Sequence, residues 1–391
     1  MKITFKKLFT IGCVVLALAP VHAQETIDVI NTSINVFGKK PVPISLTGFS
    51  GETLEVLKFD LYVQGFTFVA PDAATFQVRG SNGNQVSGAF TDKAEPAKNF
   101  SNTYTGSTLR LQAHALANDI VSAVNGQKGI GLSRIAYKSQ GEDGNGEIFI
   151  ADYDGHGAQA VTADNSIVAK PAWVPGRLAL FYTSYRKTNP DIYFNNLATG
   201  VSRTFANYPG LNTSAMVSPD GSKVAMVLGK EGRPNIFVCD LDGKNLKHIT
   251  TGKQDSSPCW SPDGRWICFA TKIDGRTRLA KISANGGEVI PFNTSGMASP
   301  SEPAWSPDGK WIAFTRLAGE FDICVMSVDG KVPATVITTG ENPSWSPNSR
   351  TLVFNHNMNH RQVLSVLDVF TKQYKDCARA AGSNSQPAWA K

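Results

Sequence analysis

An apolar residue, usually Trp, followed by Ser-Pro-Asp-Gly or a relative of it, returns along this chain at a nearly fixed interval. The copies are Trp173-Val174-Pro175-Gly176, Val217-Ser218-Pro219-Asp220-Gly221, Trp260-Ser261-Pro262-Asp263-Gly264, Trp305-Ser306-Pro307-Asp308-Gly309 and Trp345-Ser346-Pro347-Asn348-Ser349. A sixth, Pro387-Ala388-Trp389, lies at the end of the sequence, and the steps between anchors are 44, 43, 45, 40 and 44 residues. A repeat of this length belongs to a solenoid, a propeller or an array.

Each anchor is followed by a run such as Trp311-Ile312-Ala313-Phe314-Thr315, a polar turn and a second run such as Phe321 to Met326. Asp329-Gly330 makes a further turn, and Val336-Ile337-Thr338 a last short run. With the anchor segment this gives four short strands per repeat, rich in β-branched and aromatic residues and bounded by turn formers. In the Pro-Asp-Gly turns, Pro presets φ, Asp bonds back to the backbone and Gly accepts positive φ. No helical period runs through the repeats. Four antiparallel strands in such a unit describe a propeller blade.

The strand count closes a ring. The strands that follow the anchors begin near Arg134, 178, 223, 266, 311 and 351. The first block therefore has no anchor of its own, and the last anchor has no followers. We expect six blades, the first completed by an inner strand at 386–389, which removes the open sheet edges.

The first residues read Met1-Lys2-Ile3-Thr4-Phe5-Lys6-Lys7, an apolar run from Leu8 to Pro20, then Val21-His22-Ala23. This is the pattern of a secretory signal peptide cut after Ala23. Thr10-Ile11-Gly12 before Cys13 is a poor lipidation site. No other run is long and apolar enough for a membrane span. Cleavage leaves 368 residues with 35 basic against 32 acidic side chains, a net charge of +3 that gives no case for nucleic acid. Five cysteines remain: Cys239, Cys259, Cys268, Cys324 and Cys377. The plain reading of all five is buried small hydrophobes. If an exported chain forms one disulfide, Cys259 and Cys268, symmetric about a hairpin turn, are the expected pair.

Before the repeats the pattern changes. Leu54, Leu57 and Leu61 have helical spacing between Ser50 and Gly65, and Phe66-Thr67-Phe68-Val69 reads as a strand. Residues 75–80 and 85–91 read as a hairpin. A second helix runs from Thr108 to Val124, with Ala113, Leu116, Ala117, Ile120 and Val124 on one face. Residues 24–130 are thus expected to form a small α/β domain, with 24–40 a mobile arm or an edge strand, and 131–391 the propeller.

The stretch Ala113-His114-Ala115-Leu116-Ala117-Asn118-Asp119-Ile120, with Gly126 to Gly129 and Ser133-Arg134-Ile135-Ala136-Tyr137 after it, resembles the TolB family of the Tol–Pal envelope system. Ala151-Asp152-Tyr153-Asp154-Gly155 and Tyr208-Pro209-Gly210-Leu211-Asn212 carry the resemblance further. It implies a mainly β fold, a six-bladed propeller preceded by a small α/β domain, and a non-enzymatic periplasmic scaffold without cofactor or metal. It also implies that the propeller docks the peptidoglycan-associated lipoprotein Pal, that the N-terminal arm contacts the inner-membrane protein TolA, and that some bacteriocins use the propeller surface. The role so implied is support of outer-membrane integrity and of constriction at division, by a monomer. The arm that matches is Gln24 to Asn35, with Glu25, Ile27, Val29 and Ile30 as its partner-binding residues. The chain departs from the family between Val69 and Phe76, where the N-terminal domain reads as shortened by a strand or helix. It departs again in the arm, and in the first, second and fifth anchors.

Chemistry is weakly signalled. There is no Gly-x-Ser-x-Gly elbow. His356 and His360 sit in a hairpin, where a spacing of four does not define one face. Asp152-Tyr153-Asp154-Gly155 has a calcium-loop flavour but lacks the EF-hand continuation, and reads as a turn. The acidic loop Gly141 to Gly146 does not suit phosphate. The Trp residues read as blade core, and His114 as a helix-surface or interdomain residue. The alternatives are an exported propeller that binds a glycan or small ligand, and a lyase or hydrolase at the propeller mouth.

Overall fold

A computed structural model describes residues 36–252, 254–378 and 382–390. The signal sequence and the arm residues Glu25, Ile27, Val29 and Ile30 lie outside the described residues.

The N-terminal region is a five-stranded sheet with two helices. Its elements are β1 (Val42–Thr47), α1 (Gly51–Tyr62), β2 (Phe66–Phe68), β3 (Phe76–Asn82), β4 (Val86–Asp92), β5 (Phe100–Tyr104) and α2 (Leu109–Asn125), and the strand order is β2-β1-β3-β4-β5. β1 is parallel to both its neighbours, and the rest of the sheet is antiparallel. The expected face of α2 is the buried one: Ala113, Leu116, Ala117 and Ile120 are fully covered, and Val124 packs at the margin. Thr108 caps its first turn by accepting from the Leu111 N–H, and Gly126 ends it in the left-handed conformation. α1 stops three residues before Gly65, because the last backbone bonds tighten to three-residue spacing. The stretch between Val69 and Phe76 is a turn, closed by Ala73 N–H to the Ala70 carbonyl.

The propeller has six four-stranded blades. Blade two runs Val168–Trp173, Ala179–Lys187, Asn189–Asn196, Val201–Ala206, from the axis outward, and blades three to six repeat that order. Blade one takes its second to fourth strands from Arg134–Gln140, Gly146–Asp152 and Gln159–Ala160, and its inner strand from Ser383–Trp389. Trp389 pairs with Ile135 and Ala388 with Ala136, as the strand count demanded. The inner strands of blades six and two flank Ser383–Trp389, so the ring is closed.

The Ser-Pro-Asp-Gly turns are built as their residue types require. Ser218, Ser261 and Ser306 each donate their hydroxyl to the Asp two residues on, at 2.5, 2.5 and 2.6 Å. Each also accepts the N–H five residues on, at 2.9 Å. In blade six Asn348 replaces the Asp and takes the same bond from Ser346 at 2.6 Å.

The α/β region rests on the propeller face that carries these turns, over blades one and six. Asn348 donates to Gln64 Oε1 at 3.2 Å, and Gln373 to the Phe66 carbonyl at 3.1 Å. Gly65 has φ +92, which strains any other residue, and a Cβ there would displace the ends of Arg350 and Asp368, so glycine suits the close approach of the two parts. The expectation of a mobile arm as far as Lys40 is corrected. Phe37 is buried against Trp311 and Phe370, and Lys39 N–H bonds the Phe370 carbonyl at 2.8 Å. Accordingly Val36–Lys391 forms one compact unit.

Candidate docking sites at the axis and between the two parts

The inner strands share a feature that shapes the axis. In every blade their register with the second strand slips midway, giving a bulge. The bulged residues are Lys170, Ser214, Ser257, Glu302, Asn342 and Gln386, all left-handed with φ between 50 and 56. All six line the axial cavity. Left-handed backbone costs a non-glycine residue about 1–2 kcal/mol, so this polar ring is bought with strain at six places. Pro follows in five of the six blades and supplies no N–H, so the slipped ladder loses no donor there.

Lys170 and Glu302 stand on blades two and five, opposite one another in the ring, and their side chains meet across the axis. Lys170 Nζ lies 2.8 Å from Glu302 Oε1 and 2.9 Å from Asn342 Oδ1. The second Glu302 oxygen accepts from Thr315 Oγ1 at 2.9 Å and from Asn342 N–H at 3.1 Å. Burial would raise this carboxyl, but Lys170 and these donors outweigh it and hold it below the ordinary glutamate value. The neighbouring Glu341 is pushed up, first by burial and then by the charge of Glu302. The pair is a charged bar across a cavity of about 440 Å³, whose walls combine the polar bulge ring with prolines and Trp173, Trp260, Trp305, Trp345 and Trp389.

These Trp residues are structural, as the sequence suggested. Trp173, Trp260 and Trp345 donate their indole N–H to an inner-strand carbonyl of the preceding blade, at 3.0, 2.9 and 3.0 Å. Trp305 turns to its own Gly309 carbonyl at 3.3 Å, and Trp389 donates to Ser133 Oγ at 2.8 Å.

A second polar cluster is buried where the α/β region meets blade one. Asp60 of α1 bonds His114 Nδ1 of α2 at 2.7 Å and accepts from Tyr153 of the blade at 2.5 Å. Asp154 forms an ion pair with Arg110 and lies 3.9 Å from His114 Nε2. The His114 ring is therefore interdomain rather than on a helix surface. Burial pulls its pKa down, but the charge and hydrogen bond of Asp60, with Asp154, outweigh it, and the net shift is upward from 6.5. Tyr153 is raised well above 10, by burial first and Asp60 next, so it stays a donor.

Other sequence candidates resolve simply. Asp152 to Gly155 is a turn, closed by Gly155 N–H to the Asp152 carbonyl at 2.8 Å. His356 bonds Asp376 at 3.1 Å, while His360 is a left-handed turn residue. Among the described residues no group of His, Cys, Asp and Glu is arranged to hold a metal, and no helix is long and apolar enough to cross a membrane. Cys259 and Cys268 are direct cross-strand partners, both buried as thiols. The bulge ring and Asp60 escaped sequence reasoning. The ring had a usable signal, the polar-Pro-small-Trp pattern of Lys170 to Trp173 and Glu302 to Trp305; Asp60 had none.

Comparison with known proteins gives a consistent picture. The model of the TolB β-propeller domain matches residues 121–391. A curated relative, the Tol-Pal system protein TolB of Francisella tularensis subsp. tularensis (strain WY96-3418), is 32% identical over 188 residues, 46% of this chain and 43% of the relative. The counterpart of F. tularensis subsp. mediasiatica matches to the same extent, so the chain spans less than half the length of these relatives. The crystal structure of TolB from Acinetobacter baumannii superposes with a TM-score of 0.81 at 21% identity, over 90% of this chain and 98% of that one. A putative TolB from Agrobacterium tumefaciens gives 0.52 at 19% identity, over 63% and 90%. The two superpositions speak for the fold; the family model, matched through all six blades, carries the assignment, and this chain belongs to the TolB β-propeller family.

Proposed function

We propose that the chain is a non-enzymatic, periplasmic scaffold of the Tol–Pal envelope system, in which the propeller docks the lipoprotein Pal and the segment 24–35 contacts TolA. The observation that carries this reading is the division of the disc. The α/β region occupies the face with the Ser-Pro-Asp-Gly turns, and none of its described residues covers the face with the bulge ring and the hairpins between second and third strands. A rigid ring that presents loops around a concave centre suits protein docking, and a partner of ordinary size would bury about 1,600 Å² in total. Ordering a free arm of a dozen residues costs roughly 1–2 kcal/mol per residue in backbone entropy. An entropy of that size is enough for the ordering of this segment to link the two partners energetically.

The test is a binding assay with the purified chain, the Pal domain and the TolA domain encoded in the same genome. Deleting residues 24–35 is expected to leave Pal capture intact and to abolish or weaken TolA capture. Unchanged TolA binding removes the arm from the mechanism, and absence of Pal binding removes the docking role.

A second reading, a small ligand or glycan held at the axis, draws on the size and apolar walls of the cavity. Retention of a sugar or small amphiphile by the purified chain, competed by no protein, would favour it.

A further inference from the structure

The open face is electrostatically divided. The hairpins between second and third strands rise on it, because their residues lie level with the starts of the inner strands. On blades two, three and four these hairpins carry Arg186, Lys187, Lys230, Arg233, Lys272, Arg276 and Arg278, against the acids Asp191, Glu231 and Asp274. Arg186 is held by Asp164 at 2.9 Å; none of the other six is in an ion pair among the described residues. Lys187 stands near Asp191, whose carboxyl is raised by burial and drawn back by this charge, and Lys230 lies over the rings of Tyr208 and Phe237. Arg276 and Arg278 share the side of their strand with Ala280, which packs on blade three. They therefore line the groove towards the hairpin that holds Lys230 and Arg233.

The other half differs. Arg316 is held by Asp322 at 2.8 Å and Arg361 by Glu142 at 3.4 Å. Asp143 and Glu320 add exposed acids with no ion-pair partner among the described residues. A flat anionic bilayer or a polyanion spread over the whole face would meet the acids of blades five and one. A globular partner can sit on one half. The exposed Tyr185 beside Lys187, with the arginines of blade four, has the composition of a protein-docking patch.

We propose that the hairpin rim of blades two to four, centred on the groove between blades three and four, docks an acidic patch on a folded protein partner. This deepens the scaffold reading and rests on it only for the partner's name.

The test uses the full chain and two charge reversals, Lys230→Glu with Arg233→Glu and Arg276→Glu with Arg278→Glu. The control is Glu142→Lys with Glu320→Lys on the other half, and unchanged melting shows that each variant folds. Titrated with the Pal domain, the wild type should lose affinity as salt rises. Both reversals should weaken binding by about 10-fold or more, chiefly through a slower on-rate, and the control should not weaken it. Equal affinity in the reversals, or no salt dependence, overturns the inference while leaving Pal docking standing. If the wild type does not bind the Pal domain, the scaffold reading fails and poly-L-glutamate decides the charge question. Retention by the wild type and loss in the reversals supports the basic surface; equal retention overturns it. Binding to phosphatidylglycerol vesicles without binding to either protein probe also overturns it.

Discussion

The two faces of the propeller hold their charges in opposite ways. On the covered face, Asp60, His114, Arg110 and Asp154 are almost withdrawn from water, and each charge is met by another group. On the open face six cations stand at or beside hairpins without an ion pair among the described residues, while the pairs Lys170–Glu302, Arg186–Asp164 and Arg316–Asp322 are partly sheltered. Buried charge is tolerable only when paired, and losing one partner strands the other. Exposed charge costs little to keep and acts at range. The covered face is therefore expected to govern stability, and the open face to govern encounter.

The sharpest challenge to that division is Trp389→Ala. This residue closes blade one and stacks on Tyr153 at 5.7 Å, beside the buried cluster. We expect a loss of about 3–5 kcal/mol, read by urea denaturation, and a loss under 1 kcal/mol would show that closure contributes little. Asp60→Ala should follow at about 3 kcal/mol, because it leaves the buried His114 without its carboxylate. An effect no larger than that of a surface change would break the contrast.

Two pH effects sharpen the comparison. His114 has a raised folded pKa, so its contribution is complete below 6.5 and is lost as pH rises through the folded value. His114→Gln should remove that fall in a melting-temperature series, and an unchanged slope would detach the cluster from stability. Glu302 is lowered, so its contribution is present above 4.5 and is lost as pH falls through its folded value. Glu302→Gln should flatten this acid limb. The smallest effect belongs to the rim: Lys272→Ser should change stability by no more than about 0.5 kcal/mol. A larger change in chemical denaturation would mean that the rim is structural.

The blades could be read in the sequence because their signals are local. Turn chemistry, alternation and period all lie within one repeat, and even the closing strand followed from counting anchors. β1 was missed because Pro41 and Pro43 punctuate it, and because a central parallel strand has no hairpin to announce it. β5, Phe100-Ser101-Asn102-Thr103-Tyr104, lies on the sheet edge and is mostly polar, so its sequence carries no strand pattern to find. The axial bar joins residues 132 apart, and the bond from Tyr153 to Asp60 spans 93. Only the fold brings such pairs together, and no window along the chain contains them. The rim cations were visible singly, but the weak net charge concealed their grouping on one side.

The pairing of Ser383–Trp389 with Arg134–Gln140 also sets a timetable. A ribosome delivers the two edges of blade one some 250 residues apart, and long loops are slow to close. Until the later edge docks, a ring folded from its first blades onward has a bare strand on either side of the gap. A chaperone that shields those lips would be guarding the point at which neighbouring copies could lock together.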